Sequence, residues 1–374
     1  VLLRASVLTR GHRDDGSVGG TLTGLTRLER AALIAIAIAT VVAGLTRYAS
    51  GVPNGVAFAV ATIALVGLAW LVSFAVEHVG QSFGPAVTGV MQATLGNLPE
   101  FFVVLFALEA GQLVIAQTAI LGSILVNALL VLGIVIVVGA RRAPDGVMRF
   151  GVRLPNDTAT LLLISTLIII LIGLADSAHD PASHHVRAIS VIGAVAILVV
   201  YVSWLIPYLR SPPGATSNES ARVALALAVG LLVVAGVGSA FVSDWFVHAL
   251  QPAIRTLHIS KSFAGLVIVA IAGNGVEHAV GIALAHRDQA ELAISVVKNS
   301  VAQIAAFLYP AMVIISLLLS TRLTFSLAPV YIGALAGTAI IVWQITGDGE
   351  ATLFEGVALV AAFVILATVA AYEN

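Results

Sequence analysis

The chain has 374 residues, 59% of them hydrophobic and 10% charged, with a net charge of −1. Soluble domains carry about 25% charged residues, and a water-bounded fold has too little interior to absorb this much apolar surface. The near-zero charge argues against nucleic acid as a partner, and the lack of cysteine excludes disulfides, thiolate metal sites and cysteine nucleophiles.

Residues 1–29 scatter Arg4, Arg10, Arg13 and Arg27 among Gly, Ser, Thr and Asp. They read as a loose cytoplasmic tail, without the apolar core and small-residue cleavage site of a signal peptide. From residue 30 the sequence predicts an all-α polytopic membrane protein, because a spanning helix needs about 20 mostly apolar residues. Eleven such stretches follow. The first, 30–46, is an extra helix. Five more lie at 55–76, 85–108, 111–139, 157–174 and 187–208, and another five at 221–243, 262–285, 289–317, 326–345 and 352–371. The expected organisation is therefore a tail, one extra helix, a five-helix repeat over 55–208 and a second over 221–371. Lys and Arg divide unevenly: twelve fall in segments on one side, five (Arg47, Arg187, Arg255, Lys261 and Arg322) on the other, and Lys298 lies inside a span. The positive-inside rule then predicts a cytoplasmic N-terminus and an outside C-terminus, in a plasma or inner membrane with the lipid bilayer as partner.

The third and eighth spans carry similar segments, Gly96-Asn97-Leu98-Pro99-Glu100 and Gly273-Asn274-Gly275-Val276-Glu277. Each precedes a polar helix, marked by Gly122-Ser123 and Asn127 in one case and by Asn299-Ser300 and Gln303 in the other. Ser123 lies 23 residues beyond Glu100, and Ser300 lies 23 beyond Glu277. The copies are five spans apart, an odd number, so the second enters the membrane from the opposite side. Inverted repeats of this kind place a substrate site near the midplane, on interrupted helices. Gly96, Pro99, Gly273 and Gly275 are the expected interruptions, since glycine frees the backbone and proline deletes a helical hydrogen bond.

Glu100 lies 15 residues beyond Pro85, and Glu277 lies 16 beyond Lys261. At about 1.5 Å per residue each is roughly 22–24 Å along its helix. A charged carboxylate at a helix centre costs about 2.5–3.5 kcal/mol, so an unpaired one takes up a proton. Two glutamates at one site can hold a divalent cation or protons, and competition between them couples the two fluxes. Asn97 and Asn274 sit three residues before their glutamates, on the same helix face. Carboxylate, amide and hydroxyl oxygens suit a hard cation such as Ca²⁺. The lack of thiolates and scarcity of histidine disfavour Zn²⁺ or Cu⁺.

These residues together resemble the calcium/cation antiporter superfamily, in its cation/proton exchanger branch. The likeness covers roughly residues 30–371. It rests on the paired motifs, on the Glu277-His278 step, on Glu77-His78 leading into Gly84-Pro85, and on Leu353-Phe354-Glu355-Gly356. It implies a secondary antiporter exporting Ca²⁺ against H⁺ entry. Glu100 and Glu277 would be the central metal ligands and proton acceptors, joined by Asn97, Asn274, Ser123, Ser300, Gln303 and Asn127. No cofactor is implied beyond the transported ions. Pro99 and Asn299 depart from the family's pattern. So does Lys298, an amine that would repel Ca²⁺ if it faced the site, and otherwise pairs with a glutamate or sits neutral.

His278, Glu77 and Glu355 are candidates for a proton relay. His179, His184 and His185 share one predicted loop and read as solvated. A Na⁺- or K⁺-coupled exchanger or Mn²⁺ carrier of the same fold is the main alternative, and a cation channel a more distant one. An enzyme is not expected: the chain has no His-Glu-x-x-His helix.

Overall fold

The computed structural model describes residues 24–81, 91, 94–210 and 223–373. Most of the predicted tail, Gly84-Pro85 and the first part of the third span lie outside these. Among the described residues ten helices are long and apolar enough to cross a membrane. Of the third predicted span the described residues hold the second half, the helix Leu98–Glu109.

The helices are α1 (Arg27–Tyr48), α2 (Asn54–Gln81), α3 (Leu98–Glu109), α4 (Leu113–Leu125), α5 (Leu132–Arg142), α6 (Arg153–Ser177), α7 (Val186–Arg210) and α8 (Leu225–Leu257). They continue with α9 (Ala270–His286), α10 (Ala290–Gln303), α11 (Tyr309–Ile315), α12 (Pro329–Thr346) and α13 (Leu353–Tyr372). Two starts carry capping boxes, which satisfy backbone N–H groups that a helix leaves free. In α1, Thr26 Oγ1 accepts from the Glu29 N–H at 3.2 Å while Glu29 accepts from the Thr26 N–H at 2.7 Å. In α13 the partners are Thr352 and Glu355.

Three helices pass through π turns. Val126–Val131 joins α4 to α5, Ile304–Leu308 joins α10 to α11, and Ala264–Val269 leads into α9. The first two fall at matching places in the two predicted repeats: one begins just after Ser123 and contains Asn127, and the other begins just after Gln303. A π turn widens the ring of backbone bonds and often marks a functional site.

The described chain forms two compact units that cut across the sequence repeats. One takes residues up to Pro99 with Tyr208–Ala253; the other takes Glu100–Pro207 and Ile254 onward. In the first unit α1 buries Ala32, Ile36 and Ala43 and exposes Ile34, Ile38, Val41 and Leu45, a division suited to lipid on the outer face. α8 is longer than the predicted 221–243. Phe246 and Leu250 keep one face buried past the end of the apolar run, so the helix runs on through Pro252 into what reads in sequence as a loop.

The larger unit brings loops together at both ends. At one end a two-stranded antiparallel ribbon pairs β1 (Val147–Arg149) with β2 (Glu350–Thr352), with Met148 opposite Ala351. Arg149 bonds Glu350 at 3.1 Å and Asp145 at 2.7 Å. The Asp145 carboxyl is thereby held below the usual carboxylate range, first by its bond to Arg149 and then by the Val147 N–H. Gly146 and Gly349 turn the chain with φ of 75° and 82°, conformations that disfavour a side chain. The Gly151 N–H donates to Glu291, and Asn156 donates to the Gly347 carbonyl. At the other end Ser326 bonds Asp176, the Phe325 N–H donates to Ser190, and Ser260 bonds the Ala370 carbonyl. Each pairing joins segments separated by an even number of predicted spans, as two loops on one face require.

Candidate functional site

The site begins where α4 crosses the π turn ahead of α9. A side chain on Gly122 would put its Cβ 2.3 Å from the Leu266 carbonyl oxygen, and one on Gly265 would fall 2.0 Å from Thr118 Oγ1. Two glycines on facing segments let the backbones meet, as small residues do between membrane helices. That approach brings Ser123 against α9.

Ser123, Asn127, Asn274, Ser300 and Gln303 are all buried, and Glu100 is 2% exposed. Glu100 lies in the first turn of α3, and a Cβ on Gly273 would sit 3.6 Å from its Cβ. Asn274 Nδ2 donates to Ser123 Oγ at 3.0 Å and to the Ala270 carbonyl at 3.1 Å. Asn127 Nδ2 donates to Ser300 Oγ at 3.2 Å and to the Ser123 carbonyl at 3.0 Å. Each serine oxygen thus accepts from an amide and keeps its own proton to offer. The carboxylates are next in line: Ser123 and Asn274 lie beside Glu100, and Ser300 lies beside Glu277.

Both oxygens of Glu100, Oε2 of Glu277 and Oδ1 of Asn127 are sealed from solvent without a hydrogen-bond partner. Orphaned buried acceptors are costly, and four of them gather around this polar cluster. Among the described residues no three His, Asp or Glu side chains converge as a metal cluster. A hard cation would rest on two carboxylates, with amide and hydroxyl oxygens making up the six to eight ligands that Ca²⁺ takes.

Several sequence expectations need correction. The helix is not interrupted at Gly273 or Gly275, because α9 runs continuously through both. The irregular backbone lies before them, in the Ala264–Val269 π turn. In the first copy the turn is at Gly96-Asn97, and Pro99 lies in the first turn of α3, where a missing N–H costs no helical bond. Asn97 is buried in that turn, three residues ahead of Glu100. Glu277 is only half-buried.

Lys298 does not pair with a glutamate. It is 3% exposed, and its Nζ donates to the Pro155 carbonyl at 2.8 Å and to Thr346 Oγ1 at 2.6 Å. Two residues along a helix turn about 200°, so the amine and Ser300 project from opposite sides of α10. Glu355 is engaged in its capping box, and Glu77 is exposed on α2 while its neighbour His78 is the buried one. His278 is buried with Nε2 unpartnered. His179, His184 and His185 are exposed. Sequence reasoning missed the π turns, Gly265, and the acceptors of Lys298. Gly265 had a signal, a glycine 8 residues before Gly273 in an apolar helix; the others had none.

Spanning helices with irregular turns and buried polar side chains at mid-helix mark a multi-pass membrane protein of the transporter class. The family model for sodium/calcium exchanger proteins matches residues 54–207 and 227–372, so the chain belongs to that family. The two matched stretches correspond to the two predicted repeats and leave out the first helix. Among curated relatives, the vacuolar calcium ion transporter of Schizosaccharomyces pombe is 32% identical over 319 residues, 81% of this chain and 76% of that protein. The Ca²⁺/H⁺ antiporter ChaA of Bacillus subtilis is 28% identical over 327 residues, 84% of this chain and 92% of that one. Among solved structures, native YfkE superposes with a TM-score of 0.75 at 26% identity, covering 91% of this chain and 99% of that one. The H⁺/Ca²⁺ exchanger CAX, at 18% identity and a TM-score of 0.76 over 90% of this chain and 87% of that one, shares the fold.

Proposed function

We propose that this protein is a Ca²⁺/H⁺ antiporter in which Glu100 and Glu277 alternate between holding the cation and holding protons. The observation that carries this reading is the set of orphaned oxygens on Glu100, Glu277 and Asn127 beside two serines already committed to amide donors. Charged and empty, such a site is unfavourable in a low-dielectric interior. Ca²⁺ relieves it by coordination and protons by neutralisation, and the two cannot do so together. Ser123 and Ser300 would steady the carboxylates through their hydroxyl protons when Ca²⁺ is absent and offer oxygen lone pairs when it is bound. Gln303 would add an oxygen, and His278, with its free Nε2, would pass protons to or from Glu277. The two halves would be inverted repeats, with the N-terminus cytoplasmic.

In everted membrane vesicles holding an imposed pH gradient, added Ca²⁺ should dissipate the gradient, and Glu100→Gln or Glu277→Gln should abolish the response. Dissipation that persists in either variant would remove that residue from the ion site. A strict need for Na⁺ or K⁺ with no pH dependence would favour the alternative counter-ion.

A further inference from the structure

The smaller unit holds a cavity of about 240 Å³ where α1, α2 and α8 meet near the Ala49–Pro53 connection. Its lining includes Arg47, Asn54, Trp245 and His248. This is below the roughly 300–1,000 Å³ of drug-sized ligand pockets and suits a small anionic group. Arg47 is the informative residue. Its Nε is sealed from solvent without a hydrogen-bond partner, and its guanidinium lies 5.4 Å over the Tyr48 ring. No Asp or Glu is among the lining residues, and Asp244, adjacent to Trp245 in the chain, is engaged by His248 at 3.2 Å.

The walls are set by packing. Trp245 stands against Gly44, where a Cβ would fall 2.9 Å from the indole, and edge-on to Tyr48 at 6.4 Å. Trp and Tyr gather at headgroup level in membrane proteins. On α8, Val234, Val237 and Phe241 are more than half exposed. Trp245 and His248 continue that stripe at helical spacing, so the lipid-facing surface of α8 runs up into the cavity wall.

We propose that this cavity binds a phosphate group, supplied by the headgroup of an anionic phospholipid whose chains lie along Val234, Val237 and Phe241. Arg47 takes the phosphate through charge-assisted hydrogen bonds, the donor geometry it is built for. Asn54 and His248 complete the rim. None of these residues belongs to the ion site.

The test uses the full chain in detergent, with phosphatidylglycerol, phosphatidylcholine or inorganic phosphate added. Lipid retention is read by native mass spectrometry and stability by thermal unfolding. Wild-type protein should retain phosphatidylglycerol over phosphatidylcholine and melt higher in its presence. Arg47→Gln should retain it about tenfold less, as loss of a hydrogen bond to a charged group implies, while Arg47→Lys keeps part of the preference. Equal retention by wild type and Arg47→Gln, or no preference between the lipids, overturns the proposal. Inorganic phosphate alone reproducing the Arg47-dependent stabilisation overturns the lipid source. Should Arg47→Gln fail to fold, Ala57→Leu, at another lining residue, narrows the cavity without touching charge and must weaken retention, and unchanged retention counts against the site.

Discussion

Lys298 is the residue whose role the structure alters most. In sequence, an amine two residues before Ser300 suggests a charge competing with Ca²⁺, but it is bonded to Pro155 and Thr346 instead. Its task is to satisfy a carbonyl in the first turn of α6 and the last residue of α12. Lys298→Met should therefore cost stability, about 1–3 kcal/mol for the acceptors left unpaired, while leaving the Ca²⁺ concentration dependence of transport unchanged. A large shift in that dependence would return Lys298 to the site. Asn127 makes the opposite case. It anchors Ser300 and presents a free Oδ1, so Asn127→Ala should weaken apparent Ca²⁺ affinity about tenfold to a hundredfold, as loss of a ligand's supporting partner typically does. Concentration-response curves in vesicles would show it, and an unchanged curve would exclude Asn127. The candidate residues themselves were legible, because buried carboxylates and duplicated spacing leave a mark in one dimension. Their partners were not: Asn127 meets Ser300 173 residues away.

Among the elements, the crossing of α4 with the Ala264–Val269 turn controls where Ser123 sits. Gly122→Ala or Gly265→Ala forces a contact too short to exist. Each should cost about 1–3 kcal/mol or more from overpacking, seen as a lower melting temperature and a reduced yield of folded protein. A neutral result would mean the helices can part there. The ribbon gives a pH prediction. The Asp145 carboxyl is depressed by Arg149, so its support is fully present above the ordinary carboxylate range and fades as pH falls through the lowered value. Amide exchange of the ribbon should quicken only in that acid range, and Asp145→Asn should remove the pH dependence. Spans were readable because their signal is compositional and long. Both the end of α8 and the position of the irregular backbone were misread. Burial of Phe246 and Leu250 extends the one, and neighbouring helices, rather than the glycines at Gly273 and Gly275, decide the other.

For the molecule as a whole, sequence repeats and compact units are different divisions of the same chain. The first follows from duplicated hydropathy and motifs. The second depends on which helices pack together, which no local pattern records. Glu100, Ser123, Asn274, Glu277 and Ser300, the residues of the proposed ion site, all belong to the larger unit. The most direct test of the central claim is ⁴⁵Ca²⁺ uptake by purified protein in proteoliposomes, with and without a pH gradient, comparing wild type with Glu100→Gln and Glu277→Gln. Uptake driven by the gradient in wild type, and absent from both variants at equal amounts of folded protein, is the predicted result. Gradient-independent uptake in wild type, or gradient-driven uptake surviving in either variant, would contradict a shared two-glutamate site exchanging Ca²⁺ for protons.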